Sequence, residues 1–72
     1  MRRIPSDFHR ALQKHSLDFF FFECAYVHQA GYLSWIAEAR RPATRRRKIL
    51  LSINRLRTQQ TELARAAMME SR

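Results

Sequence analysis

Residues 35–49, WIAEARRPATRRRKI, decide how this chain folds. An apolar helical pattern ends inside them, a proline interrupts, and a second helical pattern opens on a run of positive charge. The residue before a proline avoids the α region, so the first helix stops at Arg41 or earlier. Arg40 and Arg41 suit its C-terminus, where cations complement the helix dipole. Pro42 also suits the first turn of the next helix, because the amide it lacks would have no partner there. Beyond it Ile49, Ile53, Leu56, Leu63 and Ala67 recur at helical spacing, with Gln60 in line. That pattern predicts a long helix from about residue 43 as far as residue 68. Leu51 points away from this stripe, which makes it either exposed or part of an interface. Past Arg57 the chain is polar with alanine, so an extension over 58–72 is expected to fray.

Upstream, residues 1–4 read as a loose arm. Pro5 fits the first turn of a helix, and Ser6 or Asp7 can cap it or complement its dipole. Phe8, Ala11 and Leu12 fall at i, i+3 and i+4, which predicts a short amphipathic helix to about Lys14. His15 and Ser16 read as a joint, with Ser16 a candidate N-cap for the next helix. From Leu17 the pattern is helical again. Phe21, Cys24, His28, Tyr32, Trp35 and Ala39 share one stripe, while Phe19, Phe22, Tyr26 and Leu33 lie nearly opposite. Two apolar faces mean that the helix is sandwiched or keeps one face for a partner. Gly31 is a weak point that permits close packing or a bend. The pattern leaves open whether 17–40 is one helix or two with a break near 25–27.

Seventy-two residues make one small domain whose core is marginal, because a short chain buries little of its surface. The hydrophobic fraction of 46% excludes a disordered tail. One glycine and two prolines leave few turns, and helix formers dominate. The expected fold is an all-α bundle of three to four helices, the 17–40 region packing antiparallel on a long C-terminal helix. Its core should hold Leu12, Phe21, Tyr32, Trp35, Ile36, Ile49, Ile53 and Leu56. Cys24 is the sole cysteine, so no internal disulfide forms, which fits a reducing compartment such as the cytoplasm. The opening MRRIPSDFHR lacks the apolar stretch of a signal peptide. The apolar run 19–22 is far too short to span a bilayer.

Charge is distributed unevenly. The formal net charge is +8, and residues 40–57 hold Arg40, Arg41, Arg45, Arg46, Arg47, Lys48, Arg55 and Arg57 with no acid. The remaining six cations are balanced by six carboxylates. The whole excess therefore sits in one stretch, which points to an anionic partner.

Trp35, Ile36, Ala39, Arg40, Thr44, Arg45, Arg47, Lys48 and Ile49 resemble the C-terminal motif of the YdeI/OmpD-associated, or bacteriocin-protection, family. That motif reads roughly Trp-Ile-x-x-Ala-Lys/Arg-x-x-x-Thr-Arg-x-Arg-Arg-Ile. Pro5 with Ala11 and Leu12 resembles the family's opening, and Phe21, His28, Tyr32, Ile53 and Leu56 stand at matching distances. The likeness covers about 5–57. The family usually carries a Leu-Ser-Pro before the histidine, where this chain has Cys24, Ala25 and Tyr26. The resemblance also leads one to expect a separate domain ahead of this segment, which these 72 residues would not hold. The resemblance implies a small helical fold and a role in envelope or bacteriocin stress.

The candidate partner- or anion-binding residues are Arg41, Arg45, Arg46, Arg47, Lys48 and Arg55. Trp35 on an apolar stripe is expected in the core rather than as a binding platform. Arg45 falls near the buried edge of the last helix, where it can pack on Trp35 or pair with Glu38; a solvated position is the plain alternative. Arg46, Arg47 and Lys48 fall in early turns, where the dipole disfavours cations. Either a carboxylate compensates them, or they meet an anion, or they form a solvated face. Two helices meeting at a basic joint also suggest a DNA-reading helix-turn-helix, without its usual turn glycine. Cys24 and His28, four apart, make an incomplete metal pair, and no acid orients them for nucleophilic catalysis. The expectation is a non-enzymatic module with no cofactor or metal. It would bind an acidic protein, with nucleic-acid binding as the alternative, and its second apolar face would support self-association or docking. A small phage-type inhibitor of a host complex is a third reading.

Overall fold

The computed structural model describes residues 4–70, which form four α-helices and no strand. They are α1 (Ser6–Lys14), α2 (Asp18–Glu23), α3 (Tyr26–Ala37) and α4 (Pro42–Glu70). The all-α class and the long last helix agree with the sequence pattern. Of the arm expected over 1–4, residues 1–3 lie outside the described residues, and Ile4 packs against the core. The end of the 58–72 extension, residues 71 and 72, lies outside them as well.

Helix α1 follows Pro5 and closes in a Schellman turn. The Leu17 amide donates to the Leu12 carbonyl (2.8 Å) and the Ser16 amide to the Gln13 carbonyl (3.1 Å). Leu12 and Leu17, the two residues joined by the longer loop, are both buried. The motif requires a left-handed residue, and here Ser16 supplies it at φ 56°. Ser16 is thus the end of α1 rather than the N-cap of α2, which is Leu17. The serine mimics a cap because it precedes an acidic residue and an apolar run.

The 17–40 region is two helices. Cys24 and Ala25 are both extended, with ψ of 151° and 145°. No serine caps α3. Instead the Gln29 side-chain amide reaches back and donates to the Phe22 carbonyl (3.1 Å) and the Cys24 carbonyl (2.8 Å). One side chain from the first turns of α3 therefore satisfies carbonyls left open at the end of α2. The four-residue connection 38–41 then turns the chain into Pro42, the first residue of α4.

The core is built from all four segments. Phe8 and Leu12 come from α1, Leu17 and Phe21 from α2 and its cap, Leu33 and Ile36 from α3, and Ile49, Ile53 and Leu56 from α4. Phe21 meets Phe8 edge-on at 5.3 Å between ring centroids and Tyr32 at 6.1 Å. Edge-to-face rings of this kind gain about 0.5–1.5 kcal/mol beyond the area they bury. Two expectations need correction. Trp35 is 38% exposed and lies outside the core, and Tyr32 is only partly buried beside it. Leu33 takes the inward position. The extended pair at 24 and 25 resets the helical phase, so a stripe projected through the break points the wrong way beyond it. Leu12, Phe21, Ile36, Ile49, Ile53 and Leu56 are buried.

Helix α4 outruns everything it packs on. Its 29 residues span about 44 Å at 1.5 Å per residue, close to the 48 Å long axis of the molecule. Leu56 is its last buried residue, and Leu63, on the same stripe, is 61% exposed.

Replacing Ser16 with glycine removes the left-handed penalty and is expected to stabilise the fold by about 0.5–1 kcal/mol after glycine's own entropy cost. Thermal denaturation should show a rise of a few degrees. A lowered melting temperature would contradict the assignment of Ser16 to the Schellman turn.

Candidate functional site

The basic stretch wraps the joint between α3 and the start of α4. The first turn of α4 contains no acid, so compensation for the dipole comes from other elements. Arg45 makes a bidentate pair with Asp7 of α1, Nε to Oδ2 at 2.6 Å and a terminal nitrogen to Oδ1 at 3.1 Å. The same Asp7 Oδ1 accepts from the Phe8 amide at 2.8 Å. Hydrogen bonds from Arg45 hold the Asp7 carboxyl below its ordinary value of 3.8. The expected contacts of Arg45 with Trp35 or Glu38 are therefore replaced. Arg45 looks toward α1, and Lys48, one turn further, occupies the α3 side.

Lys48 makes those contacts instead. Its Nζ donates to the Trp35 carbonyl (3.0 Å), lies 3.8 Å from a Glu38 oxygen, and sits 5.0 Å from the centre of the Trp35 ring. An ammonium over an indole face is attracted by the ring quadrupole. Trp35 is thus a platform at the edge of the core. Arg57 donates to His15 Nδ1 at 2.6 Å.

Of the six candidate cations, Arg45 and Lys48 are engaged within the chain. Arg41, Arg46, Arg47 and Arg55 are exposed and have no carboxylate partner among the described residues. They do not form one line. Arg46 and Arg47 are neighbours on a helix and so point about 100° apart.

A groove opens beside this end, between α3 and α4. It encloses about 660 Å³ and is lined by Val27, Gly31, Tyr32, Trp35, Leu51 and Arg55, among others. Leu51, which leaves the main stripe in the sequence pattern, is one of its walls and is 48% exposed. Ser52 lies at its floor, and its hydroxyl already donates to the Lys48 carbonyl at 2.8 Å.

Cys24 and His28 do not share a helical face, because Cys24 sits in the extended break. The Cys24 thiol donates to the Phe20 carbonyl at 3.3 Å, and burial raises its pKa above the ordinary value. Among the described residues no three His, Cys, Asp or Glu side chains cluster as a metal site would need. No described helix is long and apolar enough to cross a membrane.

Sequence reasoning misses Asp7, Gln29, Val27 and the role of Lys48. Asp7 stands 38 residues from Arg45, a distance at which spacing carries no signal. Lys48 does leave a signal, since it shares the helical side of Leu51 and Arg55 rather than that of Ile49.

These features define a small helical module, four helices with a basic joint and an apolar groove next to it. The chain belongs to the bacteriocin-protection, YdeI or OmpD-associated family, whose model matches residues 2–67. The match reaches past the 5–57 likeness on both sides and takes in most of α4. No curated protein and no solved structure matches the chain.

The Asp7–Arg45 pair is surface-exposed, with side chains 46% and 29% accessible, so its contribution should be about 0.5–1 kcal/mol. Because the folded carboxyl is held below 3.8, this stabilisation is complete above that pH and is lost as pH falls through the lower folded value. Melting curves of the wild type and Asp7→Asn should therefore differ near neutrality and converge in strong acid. A constant gap at all pH values would contradict the ion-pair account.

Proposed function

We propose that this family member is a non-enzymatic protein-interaction module that presents the basic 40–57 end to an acidic protein. One observation carries the reading. Arg41, Arg46, Arg47 and Arg55 are exposed with no carboxylate partner among the described residues, whereas Arg45 and Lys48 are held by the chain's own acids. Clustered cations repel one another and weaken the start of a helix. A bound acidic surface offsets both costs and speeds encounter. The family description, bacteriocin protection, fits a protein that acts by contact. The thiol chemistry fits the same reading, because a hydrogen-bonded, half-buried Cys24 is a poor nucleophile. The unpaired cysteine also suits a reducing compartment such as the cytoplasm.

Direct nucleic-acid binding by the same helix is the competing reading. The directions of Arg46 and Arg47 weigh against it, because major-groove reading needs its contacts on one face of the helix.

Affinity purification of the intact chain from its host, followed by mass spectrometry, should recover an acidic protein. The double variant Arg46→Glu, Arg47→Glu should reduce that recovery about tenfold, a loss on the order of 1.4 kcal/mol, and leave the melting temperature within a few degrees. Unchanged recovery would refute the basic-end reading. Tight, steeply salt-dependent binding to duplex DNA or RNA would favour the competing one.

A further inference from the structure

We infer that the groove between α3 and α4 is the docking site for an acidic amphipathic helix of a partner protein, with Gly31 kept bare for its close approach. This rests on the basic-end reading above and assigns it a second, apolar half.

Gly31 is the first ground. It lies inside α3, where glycine weakens a helix relative to alanine. A Cβ at this position would meet nothing within 4 Å. No packing within the chain requires the missing side chain, and the bare backbone faces the groove. Val27, Trp35 and Leu51 stand around it with large exposed areas that the fold does not use.

Polarity is the second. Apolar side chains dominate the lining, and the Ser52 hydroxyl already has an acceptor, which leaves the Tyr32 phenol as the other hydroxyl there. Polar groups sit at the rim, with His28 on α3 and Arg55 and Gln59 on α4, and the lining contains no carboxylate. Lys48 borders Trp35 at one end. The guanidinium of Arg55 beside these apolar side chains complements a carboxylate flanking apolar anchors. From Val27 to Trp35 is eight residues, about 12 Å along α3. That length accepts side chains at i, i+3 or i+4, and i+7 of one helix. A second copy of this chain fits poorly, because it would bring a net charge of +8 to a surface already carrying +8.

Trp35 is the sole tryptophan and reports on the groove directly. The probe is a synthetic peptide of about eighteen residues, with leucine and phenylalanine at i, i+3, i+4 and i+7 and glutamate elsewhere. Its control is a scrambled peptide of the same composition. At about 0.15 M salt the patterned peptide should shift Trp35 emission to the blue, and the scrambled one should not. Gly31→Leu should weaken binding about tenfold or more with the helical circular dichroism unchanged. Gly31→Ala should melt higher than wild type yet bind less tightly. Equal response to both peptides, no response to either, or full binding by Gly31→Leu would overturn the groove. The basic-end reading would survive each of these if partner recovery still depended on Arg46 and Arg47. A dimer in sedimentation that Gly31→Leu dissolves would make a second copy the occupant and overturn the proposal likewise.

Discussion

The edge of Phe21 against Phe8 is the contact on which the rest of this molecule depends. Helix α2 is only six residues long and cannot hold itself together in water. It persists because Phe21 is driven in between α1 and α3, touching Phe8 on one side and Tyr32 on the other. That placement requires the tight turns at both of its ends. The Schellman turn at Ser16 brings Leu17 back onto Leu12, and the extended pair at 24 and 25 lets α3 leave in a new direction. Burying one large aromatic side chain contributes about 1.5–3 kcal/mol. In a chain this short, that is a sizeable share of the total stability.

What is legible in the sequence is whatever depends on local chemistry. Pro42 marks the boundary of α3 and α4 because proline's restrictions do not depend on tertiary context. Ile49, Ile53 and Leu56 are recognisable as buried because nothing interrupts α4 between them. The errors cluster where local rules have no warning to give. Cys24 and Ala25 are neither proline nor glycine, and the glutamine that bridges the break lies outside it. Running one stripe through that break places Trp35 inside and Leu33 outside, the reverse of their positions. Family membership is legible in the basic motif itself, since those residues keep their spacing whatever packs against them.

Charge obeys a different logic from packing. Several cations within reach of another element engage it, Arg45 with Asp7, Lys48 with Glu38 and Trp35, and Arg57 with His15. These cross-links tie the start and middle of α4 to α1, to α3 and to the joint after α1. The arginines left over face solvent around the start of α4 and along its α3 side. The same residue type thus serves as a tie in one register and as open surface in the next, and only the fold separates the two uses.

The overreach of α4 gives one continuous helix two thermodynamic regimes. Up to Leu56 its backbone is coupled to the rest of the molecule and melts with it. Past Arg57, which is still tied to His15, no side chain from 58 to 69 is buried, so that portion rests largely on helix propensity, with alanine, leucine and glutamate to favour it. Heating such a protein would unwind the outer turns gradually, well before the cooperative transition of the body. The ellipticity of the whole would then slope where a two-state protein's would be flat.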